Sequence, residues 1–203
     1  CFGDWNVTFP SIAAVRVLEH HGYRVHVANE QTCCGMPNLD GGDVARAQEK
    51  ARRNVEVLLP HVRLGRPVLI PSPTCSYLMS KEYPGLLGTE EASALAARSF
   101  DLMRWIDLEL RRKKKLRKDW KQTFEKIAYQ APCHLRAQKI AFPAVPLLEA
   151  TGADVELIQE CSAVDGTWGM KEQYYELGRK YCQRLVRAMR EAEAQAYATD
   201  CPL

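Results

Sequence analysis

Three cysteine positions recur along the chain at nearly constant offsets. Cys1 matches Cys133, Cys33 matches Cys161 and Cys75 matches Cys201, separated by 132, 128 and 126 residues. The segments around them recur as well. Residues 23–27 alternate as a half-buried strand does, and 67–70 form a short apolar run. Residues 155–158 and 195–199 repeat that pair, and a further strand is predicted at 126–130. Helical patterns separate them at 9–21, from 43 to 59, from 76, from 89, at 143–151 and at 171–194. Breaks are expected at Pro60 and at Pro84-Gly85.

Strand–helix–strand units with right-handed crossovers build parallel sheets, whose strands all end at one edge. Ligands of open parallel sheets bind at that edge. Cys33 and Cys34, Cys75, Cys133, Cys161 and Cys201 each follow a predicted strand, and Cys1 would do so if a strand stood before it. The expected fold is therefore α/β: two pseudo-repeated Rossmann-like halves with parallel sheets and cysteine loops at the C-terminal strand edges. The expected organisation is a first cysteine-rich repeat at 1–110, a basic linker at 111–122 and a second repeat at 123–203. The chain opens on Cys1 rather than methionine and closes at Cys201-Pro202-Leu203, so it reads as cut from a longer polypeptide.

The densest cysteine loop is Gln31-Thr32-Cys33-Cys34-Gly35-Met36-Pro37. Neighbouring side chains normally point apart, so two adjacent sulfurs meet one object only from a tight, irregular loop. Gly35 permits a positive φ there, and Pro37 sets the way out. Paired thiolates are soft ligands that suit iron–sulfur clusters, zinc or copper(I). Four thiolates in the first half (Cys1, Cys33, Cys34 and Cys75) suffice for a 4Fe-4S cluster or a tetrahedral zinc. Three in the second (Cys133, Cys161 and Cys201) leave a position open.

Composition narrows the alternatives. The 203 residues are 46% hydrophobic, enough for one large core or two modest ones. Neither a secretory signal nor a long apolar run is visible, so the eight cysteines read as reduced thiols of a reducing compartment rather than as disulfide staples. The net charge of +3 conceals an asymmetry. The run 111–118 holds seven basic residues, leaving 21 Lys and Arg against 25 Asp and Glu elsewhere. That run reads as a solvated linker, with docking to an acidic partner or anionic lipid as the alternative. No basic face interleaved with aromatics points to nucleic acid.

With these residues in view, the chain resembles the CCG, or cysteine-rich domain, family, to which the B subunit of heterodisulfide reductase belongs. The resemblance rests on Cys33-Cys34-Gly35-Met36-Pro37 followed by Gly42-Asp43, on Ser72-Pro73-Thr74-Cys75, on Pro132-Cys133-His134, and on Cys161-Ser162 leading into Asp165-Gly166-Thr167-Trp168-Gly169. The last looks closest to the branch formed by the iron–sulfur C subunit of anaerobic glycerol-3-phosphate dehydrogenase. The family's fullest pattern has five cysteines per repeat. Here Leu78 stands where a closing cysteine would follow Cys75, and Ser162 stands where the second cysteine of a pair would be.

The resemblance implies 4Fe-4S clusters that relay electrons from a flavoprotein dehydrogenase subunit to a quinone or disulfide acceptor. It implies a cytoplasmic protein, at the inner face of the membrane or free of it, with peripheral membrane contact at most. The expected role is that of a non-catalytic electron-transfer subunit, with no residue acting as general acid or base. Disulfide reduction at an open cluster and a structural zinc domain remain the alternatives. Around the ligands, Gly35, Gly166 and Gly169 are expected to bring backbone close to a centre, with amide hydrogens of Gly166 and Gly169 aimed at its sulfurs. His134 and Ser162 are candidates for the open position, with His134 favoured as a hydrogen-bond donor to sulfur. Trp168 would shield the centre or fill core. Cys182 lies on a helical apolar stripe and reads as core.

Overall fold

The computed structural model describes residues 5–166 and 168–201, so Cys1 lies outside the described residues. Contacts divide the chain into two compact units, with the break between Leu116 and Arg117, inside the basic run. The first unit contains α1 (Phe9–His20), α2 (Met36–Asp40), α3 (Val44–Arg63), β1 (Val68–Ile70), α4 (Pro73–Tyr77), α5 (Tyr83–Leu87), α6 (Glu90–Ala97), β2 (Ser99–Asp101) and α7 (Leu102–Ile106). A π-helical turn at Leu78–Glu82 joins α4 to α5, and another at Asp107–Arg111 extends α7. The second unit contains β3 (Lys126–Gln130), α8 (Cys133–Gln138), α9 (Ala144–Glu149), β4 (Asp154–Ile158), a 3-10 turn at Trp168–Met170, α10 (Glu172–Glu191) and β5 (Ala196–Thr199).

Both sheets are parallel. β1 pairs with β2 in the register Val68 to Ser99 through Ile70 to Asp101. In the second unit β3 is central and pairs with β4 on one side and β5 on the other. The α/β class with parallel sheets is therefore as the sequence implies.

The long helix of the first unit follows from its pattern. Asp43 caps α3 by accepting from the Arg46 N–H at 3.1 Å. Ala47, Ala51, Val55 and Leu58 fall on one buried face. Ala51, Val55 and Leu58 pack with Ile70, Leu78, Tyr83 and Leu95 into the first core. In the second unit Leu185, Ala188 and Met189 of α10 lie on Ala128 and Ile158 of the sheet. Among the described residues no helix is long and apolar enough to cross a membrane.

Three local expectations are corrected and one unexpected strand is added. Residues 23–27 form no ladder among the described residues. The alternation is present, but among the described residues no strand lies beside it to pair with. Second, Pro60 lies inside α3 rather than ending it. It sits on the exposed face, where water can take up the carbonyl that proline leaves unbonded. Third, Pro84-Gly85 lies within α5, where proline occupies the first turn. Fourth, β2 was not apparent in the sequence, because three residues carry no readable alternation.

The basic run is partly anchored. Arg111 and Arg112 both bond the buried carboxylate of Asp107, and Lys113 bonds Glu109 at 2.6 Å. Three of its cations thus belong to the end of the first unit.

Asp101 closes β2 and is 3% exposed. It accepts from the Arg104 N–H at 3.1 Å, capping α7, and from the Ser76 hydroxyl at 3.3 Å. Burial raises its pKa above the ordinary 3.8, against those hydrogen bonds. A raised carboxyl favours folding below the unfolded value and loses that contribution as pH rises through the folded value. Asp101→Asn keeps an oxygen acceptor and cannot ionise. Its stability relative to the wild type, read by urea unfolding, is expected to be greater at about pH 7 than at about pH 3.5. A pH-independent difference would contradict the burial argument.

Candidate metal centre

The Cys33-Cys34 loop is held by side chains from distant helices. Asn54, 2% exposed on α3, accepts from the Thr32 N–H at 2.8 Å and donates to the Cys33 carbonyl at 3.2 Å. It also donates to the Tyr83 hydroxyl at 3.0 Å, and Tyr83 donates to the Cys34 carbonyl at 2.8 Å. Three successive residues of the loop thus have backbone groups tied to one buried pair. Burial pushes the Tyr83 phenol well above its ordinary value, which keeps it a donor.

Gly35 then turns the chain at φ 103° into α2. A Cβ there would stand 3.3 Å from the Ala47 carbonyl oxygen and 3.4 Å from its Cα. The loop lies so close on α3 that both the positive φ and the missing side chain are needed.

The result is a sulfur cluster. Cys34 is in the first core, and half-buried Cys33 and Cys75 pack against it. The Cys34 thiol acts on both neighbouring thiols as a hydrogen-bond donor. That donation draws Cys33 down to about 5, against burial, with help from the Gly35 N–H and the Lys50 cation. It also draws Cys75 below its ordinary value, where the Ser72 hydroxyl adds to it. Cys34 itself is pushed far up, because it donates to both neighbours and is buried; the Met36 N–H only partly offsets this. Lys50 is steadied by Asn38 of α2 at 2.7 Å. A groove of about 200 Å³ is lined by Thr32, Arg46, Glu49, Lys50 and Arg53.

The second unit arranges its cysteines differently. Cys133 is exposed at the first position of α8, and Cys161 and Cys201 are half-buried. The Ala163 N–H donates to the Cys161 sulfur at 3.3 Å, and the Val164 N–H donates to the Ser162 hydroxyl at 3.5 Å. His134 is half-buried beside Cys133. Among the described residues, no three His, Cys, Asp or Glu side chains in either unit are arranged to hold a single metal ion. Donor chemistry in the first unit nonetheless fits an iron–sulfur group: soft sulfurs in mutual contact, backed by backbone N–H groups.

The sequence matches the cysteine-rich domain family, CCG, over residues 1–80 and 127–203. The chain belongs to the cysteine-rich domain family. It is 28% identical over 204 residues to the C subunit of anaerobic glycerol-3-phosphate dehydrogenase from Escherichia coli (strain K12), covering 99% of this chain and 51% of that protein. The B subunit of fumarate reductase (CoM/CoB) from Methanothermobacter marburgensis is 23% identical over 205 residues, covering 100% of this chain and 39% of that one. The glycolate oxidase iron-sulfur subunit of E. coli K12 is 25% identical over 191 residues, covering 92% and 46%. The chain spans about half the length of the curated relatives it matches.

Within this cysteine-rich domain, Gly169 has a role other than the one expected. Its N–H donates to the Val164 carbonyl at 3.0 Å, not to a sulfur. A Cβ on it would stand 2.1 Å from the Ala163 carbonyl oxygen, so the backbone passes directly over the loop after Cys161. Gly166 turns that loop at φ 65°. Trp168 stacks on Tyr174 with centroids 4.3 Å apart, which fixes the loop against α10. Cys182 is half-buried on α10. Asn54, Tyr83 and Gln130 carry no motif of their own; a buried amide inside a helical stripe was the one available signal, and it pointed to no partner.

Two substitutions test these constraints. Asn54→Ala leaves the Thr32 N–H and the Cys33 carbonyl without their partner and is expected to cost about 2–4 kcal/mol in denaturant unfolding. Tyr83→Phe, which removes one donor, is expected to cost about 1 kcal/mol, and equal effects would contradict the shared clamp. Gly169→Ala should displace the Cys161 loop, seen as faster amide hydrogen exchange at 161–166; exchange at the wild-type rate would show that the close approach is dispensable.

Proposed function

We propose that this cysteine-rich domain is the iron–sulfur electron-transfer part of a larger oxidoreductase. In this reading it passes electrons from a flavoprotein dehydrogenase subunit to a quinone or disulfide acceptor. One observation carries the reading: the Cys33-Cys34 pair and Cys75, which are distant in chain order, share one core, with Cys34 buried in it and Cys33 and Cys75 packed against it. The relatives add support, since they are named as subunits of oxidoreductases and one as an iron-sulfur subunit. The setting in this reading is cytoplasmic, with at most peripheral membrane contact.

Cys1, Cys33, Cys34 and Cys75 would hold one cluster. Cys133, Cys161 and Cys201 would hold a second, with His134, Ser162 or a donor from outside these residues at the open position. A 4Fe-4S cluster, when bound, supplies reversible one-electron storage. The residues do the tuning. The Gly35 and Met36 N–H groups and the Lys50 cation favour added negative charge at the first site, while burial of Cys34 opposes it. Asn54 and Tyr83 keep that loop from moving as charge changes. Residues 1–110 and 123–203 act as the two repeats and 111–122 as their connection.

Anaerobic purification tests the reading. A brown protein with stoichiometric iron and sulfide is expected, and a colourless protein carrying zinc would replace electron transfer with a structural role. Cys34→Ser is expected to lose more iron than Cys182→Ser, read by colorimetric iron determination. Equal loss from both would contradict the assignment of ligands.

A further inference from the structure

We infer that Gln130 is the positioning residue that gathers the three cysteine loops of the second unit. The inference rests on reading Cys133, Cys161 and Cys201 as ligands. Gln130 is the last residue of the central strand β3 and is 8% exposed. The ladder sets it opposite Ile158 of β4 and Thr199 of β5, so it is flanked by the ends of both outer strands.

A carboxamide has donors on one side and an acceptor on the other, and Gln130 uses both. Its Nε2 donates to the Ala131 carbonyl at 3.0 Å and to the Glu160 carbonyl at 3.1 Å. Its Oε1 accepts from the Thr199 hydroxyl at 2.8 Å. That hydroxyl in turn accepts from the Cys201 N–H at 3.2 Å. Ala131 lies two residues before Cys133, Glu160 immediately before Cys161, and Thr199 two before Cys201. One side chain therefore touches the way out of all three strands within two residues of each sulfur. Tyr129 adds a parallel tie, donating to the Asp200 carboxylate at 2.8 Å.

The bonding pattern is specific to an amide. Leucine fills the volume but leaves two carbonyls and a hydroxyl without this partner. Glutamate offers no donor to those carbonyls. Partners of this kind beyond the ligands typically change metal retention about 10- to 100-fold.

The full chain, reconstituted anaerobically with iron and sulfide, provides the test. Iron release to a ferrous chelator and the electron paramagnetic resonance spectrum of the reduced protein are both recorded. Cys161→Ser defines the share of iron that belongs to the second unit. Gln130→Leu is expected to release that share about 10-fold faster or more, with an altered resonance line shape. Gln195→Leu removes a comparable bond, from the Glu125 N–H at 2.6 Å, at the opposite end of the strands, and is expected to behave as wild type. Thr199→Val should follow Gln130→Leu, and Thr199→Ser should restore wild-type release. The Thr199 pair decides if Gln130→Leu does not fold.

Wild-type release from Gln130→Leu and Thr199→Val, with iron lost in Cys161→Ser, overturns the positioning role and leaves the site standing. Equal release from Gln130→Leu and Gln195→Leu also overturns it, as general loosening. Unchanged iron in Cys161→Ser removes the site itself, and the inference with it.

Discussion

A loop that turns adjacent cysteines toward one object takes its own backbone out of any helix or ladder, and buried N–H and C=O groups must still be paired. Everything at the first site follows from how that requirement is met. Asn54 and Tyr83 come from two helices far away in sequence and bond the backbone of Thr32, Cys33 and Cys34. The sulfurs are then free to face one another rather than being drawn into local turns. Gln130 meets the same requirement in the second unit, from a strand end instead of a helix. Two buried carboxamides thus serve two cysteine sites by different routes.

Close backbone approach is the second common device. Gly35 lies on Ala47, and Gly169 lies on Ala163. In both places a side chain would push the cysteine loop away from the element that supports it. The chemical consequence differs. At Gly35 the amide helps draw the Cys33 thiol down, which lowers the cost of negative charge there. At Gly169 the amide is spent on the Val164 carbonyl, and the sulfur-directed amide comes instead from Ala163. The electronic environment of the two sites is therefore unlike, despite the duplicated pattern that built them.

The units also differ in what carries the loops. In the second, all three cysteine loops leave paired parallel strands. In the first, among the described residues, Cys33 and Cys34 follow an unladdered segment and Cys75 alone follows a strand. The helical clamp on α3 and α5 replaces the missing ladder. An offset between repeats tells where a cysteine recurs, not what holds it.

The sequence alone determined the α/β class, the family, the strands at 126–130, 155–158 and 195–199 to within a residue, the Asp43 cap and the positive φ at Gly35. These depend on periodicity, capping and steric limits that act over a few residues, so a local reading reaches them. The tertiary structure alone decided that Asn54 and Tyr83 close on the Cys33-Cys34 loop, that Gln130 joins three strand ends, that Pro60 stays inside its helix and that residues 23–27 form no ladder among the described residues. The polar pairings depend on which buried group meets which distant backbone, Pro60 on which face of α3 is left to water, and 23–27 on whether a strand lies beside it. Such pairings join residues as far apart as Gln130 and Thr199, and no local pattern records them.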